Sequence, residues 1–372
     1  MPRSRPTTTR VALIPSVSGG LGHVTRLAKL AHALSAADRS LSLCFVLPEL
    51  RLRHVNIQAV EGLGYPVRFL PNPVRHERDE VVRGVLGDID VVIEDTERRL
   101  IAYRSILPRL RAWISIPMLP LWDELFLDWT LLEQADHILY TYPAEMPVPD
   151  ELERFRAKLT VTGPFVAPDE VPRRDVGRRR LGLHADDRLM WYAPRGFPFG
   201  RAFGSRLLNA VVGGFMQLRR RATQTRLALT GVPDVDAIQP RRLPPLPSID
   251  GLDVRTMLPR RELLDYIAAA DVAIVEGTSG LFDAAVADVP VIMVPGPIYE
   301  TTLEADWVAS NEAGLVVRPD EVTRSSLRRA MQSILVDRDA ATARARRLRE
   351  IVGGGGERAA VEVILRVVDE TR

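Results

Sequence analysis

Apolar residues along this chain fall into two series of short runs, each run followed by a longer segment with helical spacing. The first series is "RVALIP" (10–15), "LSLCFVL" (41–47), "YPVRFL" (65–70), "DVVIED" (90–95), "AWISIP" (112–117) and "HILYTY" (137–142). Between the first two lies "HVTRLAKLAHAL", where Val24, Leu27, Leu30, Ala31 and Leu34 form one stripe at the helical period. Runs that are apolar at successive positions bury both faces of a strand, and the intervening helices supply the cover. The pattern predicts a doubly wound parallel sheet, a Rossmann-like domain over residues 1–165 that "LTVTGPF" (159–165) closes.

Residues 166–187 are rich in Pro, Arg and Asp with little periodicity, and read as a linker. A second series follows over 188–356: "RLMWYAP", "TRLALTG", "LDVRTML", "DVAIVEG", "PVIMVPG" and "GLVV". It predicts a second Rossmann-like domain. Within it, "PRRLPPLPS" (240–248) is too Pro-rich for a helix or central strand and reads as a surface loop. Four glycines (353–356) precede a last helix, 357–372, expected to pack back on the first domain. The fold class is therefore α/β, two doubly wound domains facing across a cleft, with ligands expected beyond the carboxyl ends of the strands.

A length of 372 residues exceeds what one core supports, in keeping with two domains. The formal net charge of +2 excludes a nucleic-acid binder built on a large basic surface. Among the basic residues only Lys29 and Lys158 are Lys, so Arg clusters carry little information here. Arg178 to Arg180 and Arg219 to Arg221 read as solvated faces. The single cysteine, Cys44, reads as a buried strand thiol and suits a reducing compartment. The first ten residues lack an apolar signal core, and no apolar stretch nears the ~20 residues of a membrane span. A cytoplasmic protein without membrane insertion is expected.

The most informative stretch is 271–317, "DVAIVEGTSGLFDAAVADVPVIMVPGPIYETTLEADWVASNEAGLVV". A strand runs into Gly277, Thr278, Ser279 and Gly280, where a helix begins. Free N–H groups at a helix start suit an anion such as a diphosphate, and Asp283 can accept from a ribose diol. The same residues also read as a plain strand, turn and helix with a Ser N-cap.

This stretch resembles the nucleotide-sugar motif of GT-B glycosyltransferases, in particular the bacterial N-acetylglucosaminyltransferase of peptidoglycan precursor synthesis. Gly277, Asp283, Pro290, Pro295, Glu300 and Ala313-Gly314 carry the likeness. It implies that Met257 and Leu258 lie beside the base, that Gly277, Thr278 and Ser279 hold the diphosphate, and that Asp283 holds the ribose. Two departures stand out. Glu276 occupies a place where relatives carry His or Ser, and Thr301 breaks the acid–Gln pair that begins at Glu300. A carboxylate 4 Å from a phosphate charge is repelled by ~4 kcal/mol at an effective dielectric of 20. Glu276 or Glu304 is therefore expected to meet an amino group on a sugar.

The first strand leads into "SGGLGHVTR", where Gly20 and Gly22 permit close approach of backbone to ligand. This is not a dinucleotide fingerprint, since Thr25 stands where its third glycine belongs. His23 is the candidate base, able to take a proton from an attacking hydroxyl, with a helix-capping role as the alternative. Glu94 and Asp95 end a strand on the same side; each can orient His23, bind an acceptor, or simply open a helix. Arg195, with Gly196, follows another strand end as a weaker phosphate contact. Leu121, Trp122, Leu125, Phe126, Trp129 and Leu132 are spaced for a helix and read first as core. An acceptor platform at Trp122 or a peripheral membrane patch are the alternatives.

Asp88-x-Asp90 and Asp234-x-Asp236 lack supporting ligands, so no metal and no cofactor beyond the co-substrate is expected. The expected activity is an inverting, metal-independent transfer of a sugar from a nucleotide diphosphate to an acceptor hydroxyl or amine, with natural-product aminosugars as one setting. The pattern Gly20-x-Gly22-His23-x-x-Arg26 also resembles nucleotide-sugar hydrolases of the pseudaminic-acid pathway, in which water attacks. A GT-B protein that activates another transferase without catalysis is the third expectation.

Overall fold

A computed structural model describes residues 8–16, 22–48, 60–71, 78–118, 129–194, 201–231, 246–256 and 258–370. The chain forms two compact units, Met1–Val166 with Gly355–Arg372, and Ala167–Gly354.

The first unit contains β1 (Thr9–Pro15), β2 (Leu41–Pro48), β3 (Val67–Leu70), β4 (Val91–Asp95), β5 (Ala112–Ile116), β6 (His137–Tyr140) and β7 (Leu159–Val161). They form one parallel sheet in the order 3-2-1-4-5-6-7. Its helices include α1 (Gly22–Ala37), α2 (Arg78–Leu86), α3 (Trp129–Glu133) and α4 (Asp150–Glu153). Because β1 is an interior strand, Val11 to Ile14 are fully buried on both faces, as their unbroken apolar run requires. Val24, Leu27, Leu30, Ala31 and Leu34 of α1 lay their stripe on this sheet. Cys44 is buried in β2, and burial pushes its thiol above the ordinary value.

The second unit repeats the plan with β8 (Arg188–Tyr192), β9 (Thr225–Leu229), β10 (Leu252–Val254), β11 (Val272–Val275), β12 (Val291–Met293) and β13 (Leu315–Val316), in the order 10-9-8-11-12-13. Its helices are α5 (Arg174–Arg180), α6 (Arg201–Arg219), α7 (Arg260–Ala269), α8 (Thr278–Val286), α9 (Tyr299–Ser310), α10 (Arg324–Val336) and α11 (Arg338–Val352). A last helix, α12 (Gly356–Glu370), returns to the first unit. Its Ala360, Val361, Val363, Ile364 and Val368 join the core that α1 covers. Full burial of one Val or Ile side chain contributes ~1.5–3 kcal/mol, so α12 is an integral part of that core. Gly356 makes the return possible, since a Cβ there would lie 2.5 Å from the Pro164 carbonyl oxygen.

Two expectations change. Residues 167–187 are no linker but part of the second unit, where α5 packs against α7 so closely that a Cβ on Gly177 would sit 2.8 Å from the Asp265 carbonyl oxygen. The Arg clusters are solvated only in part: Arg179, Arg180, Arg220 and Arg221 are exposed, and Arg178 and Arg219 turn inward. Arg178 donates to the carbonyls of His184 (2.6 Å) and Asp187 (3.0 Å), and Arg219 to Asp250 (2.6 Å) and two further carbonyls. In a chain nearly without Lys, arginine performs the structural bonding of loops to helix ends. Of the Pro-rich loop, 246–248 form a short 3-10 turn with Leu246 buried, and 240–245 lie outside the described residues. No helix among the described residues is long and apolar enough to cross a membrane.

Candidate active site

In a doubly wound sheet the strand order reverses at one place, and the strand ends there open a crevice. In the first unit that place lies between β1 and β4, where Pro15 pairs with Asp95 at the carboxyl ends. The helix that follows β1 begins at Gly22 and brings His23 back to this point. His23 Nδ1 stands 2.8 Å from Asp95 Oδ1. Arg26, three residues on and hence on the same helix face, grips Asp95 with both prongs: Nε to Oδ2 at 2.7 Å and Nη2 to Oδ1 at 2.6 Å. Its Nη1 reaches Thr141 Oγ1 at 3.3 Å, beyond the end of β6.

Asp95 is completely buried. Burial by itself would raise its carboxyl; Arg26 and then His23 outweigh that and hold it well below the usual carboxylate range. An ionised carboxylate only accepts, so Nδ1 of His23 carries a proton and donates it, which in the neutral imidazole leaves Nε2 with its lone pair. Arg26 Nη2 also lies 3.1 Å from His23 Nδ1, a proximity imposed by their shared oxygen rather than a further bond. Thr96 adds its hydroxyl at 3.1 Å, from a backbone held at φ +68°. That left-handed conformation is costly for a β-branched residue and marks a turn fixed by its surroundings.

Glu94 does something else. Neighbouring strand residues point to opposite faces, and Glu94 is wholly buried, accepting from Ser115 Oγ and from the Glu97 N–H at 2.8 Å. It closes the turn after β4 and is not presented to an acceptor. The role of Arg26 was hidden in the sequence behind a motif; its spacing from His23 was the available signal.

The second unit has its own reversal, between β8 and β11. Tyr192, the last residue of β8, donates its hydroxyl to Glu276 Oε1 at 2.8 Å, just past the end of β11. Burial, with Glu276 beside it, pushes the Tyr192 phenol well above its ordinary value, so it remains a donor. Glu276 thus accepts from a phenol. Gly277 follows at φ +124°, a conformation closed to side chains, and Thr278 at φ +46°. A Cβ on Gly277 would fall 2.3 Å from Glu304 Oε2. Glu304, fully buried on α9, comes this close because it accepts the Thr278 N–H at 2.8 Å.

The first amide of α8 is therefore given to an internal carboxyl group, not left open for a diphosphate. Ser279 is exposed, and the N–H groups of Ser279 and Gly280 have no acceptor within the helix. Asp283, expected on a ribose, is almost fully buried and held by both prongs of Arg260, at 2.5 and 2.8 Å. Glu300 is buried in the first turn of α9, and Thr301 bonds the carbonyls of Gly296 (3.0 Å) and Ile298 (3.1 Å). Leu258 is half-buried, and Gly22 is exposed at the start of α1. Gly20, Trp122, Arg195, Gly196 and Met257 lie outside the described residues. Of the expected apolar helix, 121–128 lie outside them too, and Leu132 is buried.

No protein-family model matches this chain. No curated protein matches it either. Solved structures do. A putative UDP-N-acetylglucosamine 2-epimerase from Listeria monocytogenes superposes with a TM-score of 0.71 at 13% identity, over 98% of each chain. The glycotransferase of kitacinnamycin gives 0.62 at 16%, over 97% of this chain and 100% of its own. MurG of Acinetobacter baumannii gives 0.58 at 14%, over 96% and 99%. With two doubly wound sheets in tandem and likeness across almost the whole length of each, this chain has the GT-B fold.

Proposed function

We propose that this protein is a glycosyltransferase that moves a sugar from a nucleotide diphosphate to an acceptor hydroxyl or amine, with inversion and without a metal. The observation that carries the reading is the hydrogen bond from His23 Nδ1 to Asp95, which leaves Nε2 as a base. In the reaction Nε2 takes the proton of the acceptor hydroxyl as its oxygen bonds to the anomeric carbon. The bond from that carbon to the diphosphate breaks, and the leaving group keeps the electron pair. Asp95 balances the imidazolium, while Arg26 and Thr96 hold Asp95 in place.

On the donor side, the exposed start of α8 at Ser279 and Gly280 is the surface offered to the diphosphate. Glycosyltransferases among the structural neighbours, including the calicheamicin enzyme CalG4 and the spinosyn enzymes SpnP and SpnG, support transfer to natural-product acceptors.

One observation favours hydrolysis as a second reading. Arg26, the last residue of the pattern shared with the hydrolases, belongs to the His23–Asp95 network. The deciding experiment is incubation with a panel of nucleotide sugars, without and with candidate acceptors, following released nucleotide diphosphate. Release that depends on acceptor supports transfer, and rapid release without acceptor supports hydrolysis. Absence of any nucleotide binding would refute both.

A further inference from the structure

A cavity of about 230 Å³ opens at the amino ends of β11 and β12, at the opposite end of the sheet from Glu276 and Gly277. Asp271 and Pro290, the residues that precede those strands, form its floor, and Arg174, Ile334 and Arg338 stand around it. From Asp271 to Gly277 the chain advances six residues, ~20 Å at strand rise, so this cavity is remote from the strand end that carries Glu276 and Gly277.

Its charge is unbalanced. Asp271 is buried and accepts from Arg174 (2.9 Å), Arg338 (2.8 Å) and the Leu189 N–H (2.9 Å), with Arg178 at 3.6 Å. Three guanidinium groups thus share one carboxylate. The other carboxylate on the wall, Asp288, is already paired with Arg349. Arg178 spends its remaining N–H groups on carbonyls. Arg338 does not: among the described residues its only hydrogen bond is the one to Asp271, and its side chain is 43% exposed. Arg174, 45% exposed, donates to the Ala270 carbonyl as well as to Asp271. Burial pushes the Arg174 guanidinium below its ordinary value, with Arg178 and Arg338 adding to this against Asp271. A bound anion would offset the mutual repulsion of Arg174, Arg178 and Arg338.

We infer that this cavity binds a phosphate group, with Arg338 and Arg174 as its grips. Forked guanidinium donors match phosphate oxygens, and the volume admits one phosphate with a small organic part against Pro290 and Ile334. Free phosphate and a sugar monophosphate present the same chemistry to the arginines.

The test is calorimetric titration of the full chain with inorganic phosphate and, separately, a hexose 1-phosphate, with chloride matching ionic strength. Saturable binding is expected, tighter for the sugar phosphate where its organic part engages the apolar wall, and equal where free phosphate is the ligand. Arg338→Gln, which leaves Arg174 on Asp271, should weaken binding by about ten-fold or more. Thr342→Glu, at an exposed position on the cavity wall, should abolish it while the melting temperature stays that of the parent. Arg347→Gln, on the same helix but paired with Glu350 outside the cavity, should change nothing. No saturable binding to the parent, or undiminished binding to both Arg338→Gln and Thr342→Glu, overturns the inference.

Discussion

Replacing Asp95 by Asn tests the core of the candidate site in one atom. The Asp95 carboxylate accepts four hydrogen bonds, two from Arg26 and one each from His23 and Thr96, and has no contact with water. An amide keeps one acceptor oxygen and turns the other position into a donor. If that oxygen stays with Arg26, the new NH2 faces His23 Nδ1, which must then accept, and the proton moves to Nε2. The base is lost. General-base catalysis is worth ~10²–10⁴-fold, and a loss of that size in nucleotide release is expected. Removing one partner of a buried ion pair costs ~3–5 kcal/mol. The Arg26 side chain is 15% exposed and can recover some hydration, so about 3 kcal/mol is expected here.

The pH dependence follows from the lowered folded pKa of Asp95. Its stabilisation is fully present above the unfolded value of ~3.9 and is lost as pH falls toward the folded one. The part of the stability gap between parent and Asp95→Asn that comes from the Asp95 charge should therefore close below about pH 4. Urea unfolding at several pH values measures the gap, and ¹⁵N spectra of the imidazole report the tautomer without any substrate. A variant that retains Nδ1–H with undiminished stability would refute the reasoning.

Three other changes probe separate features. Glu304→Gln should keep the bond from Thr278 while removing a carboxyl group from the start of α8; nucleotide diphosphate binding by calorimetry should tighten about ten-fold, and weaker binding would place the diphosphate elsewhere. Asp283→Asn should cost about 3 kcal/mol in urea unfolding by breaking the fork with Arg260, whereas lost nucleotide affinity at parental stability would assign Asp283 to the ligand. Ile364→Ala in α12, fully buried in the first unit, should destabilise by about 2–5 kcal/mol in thermal or urea unfolding, and a loss under 1 kcal/mol would mean that the helix packs only loosely.

The strands were readable because parallel sheets bury both faces, and runs such as "VALI" and "VAIV" admit few other interpretations. The pairing of His23 with Asp95 was readable in outline, since both follow central strand ends. What escaped was contact made at a distance by polar groups. Nothing local to Gly277 shows that Glu304, 27 residues later, will take the first amide of α8. Nothing local to Asp283 reveals Arg260 as its partner. Composition misled at 167–187, where Arg174, Arg178 and Arg180 look like solvent-facing charge but bind Asp271, Asp265 and backbone carbonyls. Arginine can bury its stem and still satisfy five N–H groups, which a hydropathy pattern does not record.

The return of α12 to the first unit has a consequence for how the protein is made. Helix α1 starts with His23 and Arg26 and rests on residues that emerge from the ribosome more than 300 positions later. At ~5–20 residues per second, the first sheet waits tens of seconds with part of its core uncovered, while the second unit can close around its own core first. A chain that stalls before residue 356 would leave the α1 core without the cover of α12. Full burial of the α1 stripe therefore waits on synthesis past Val368.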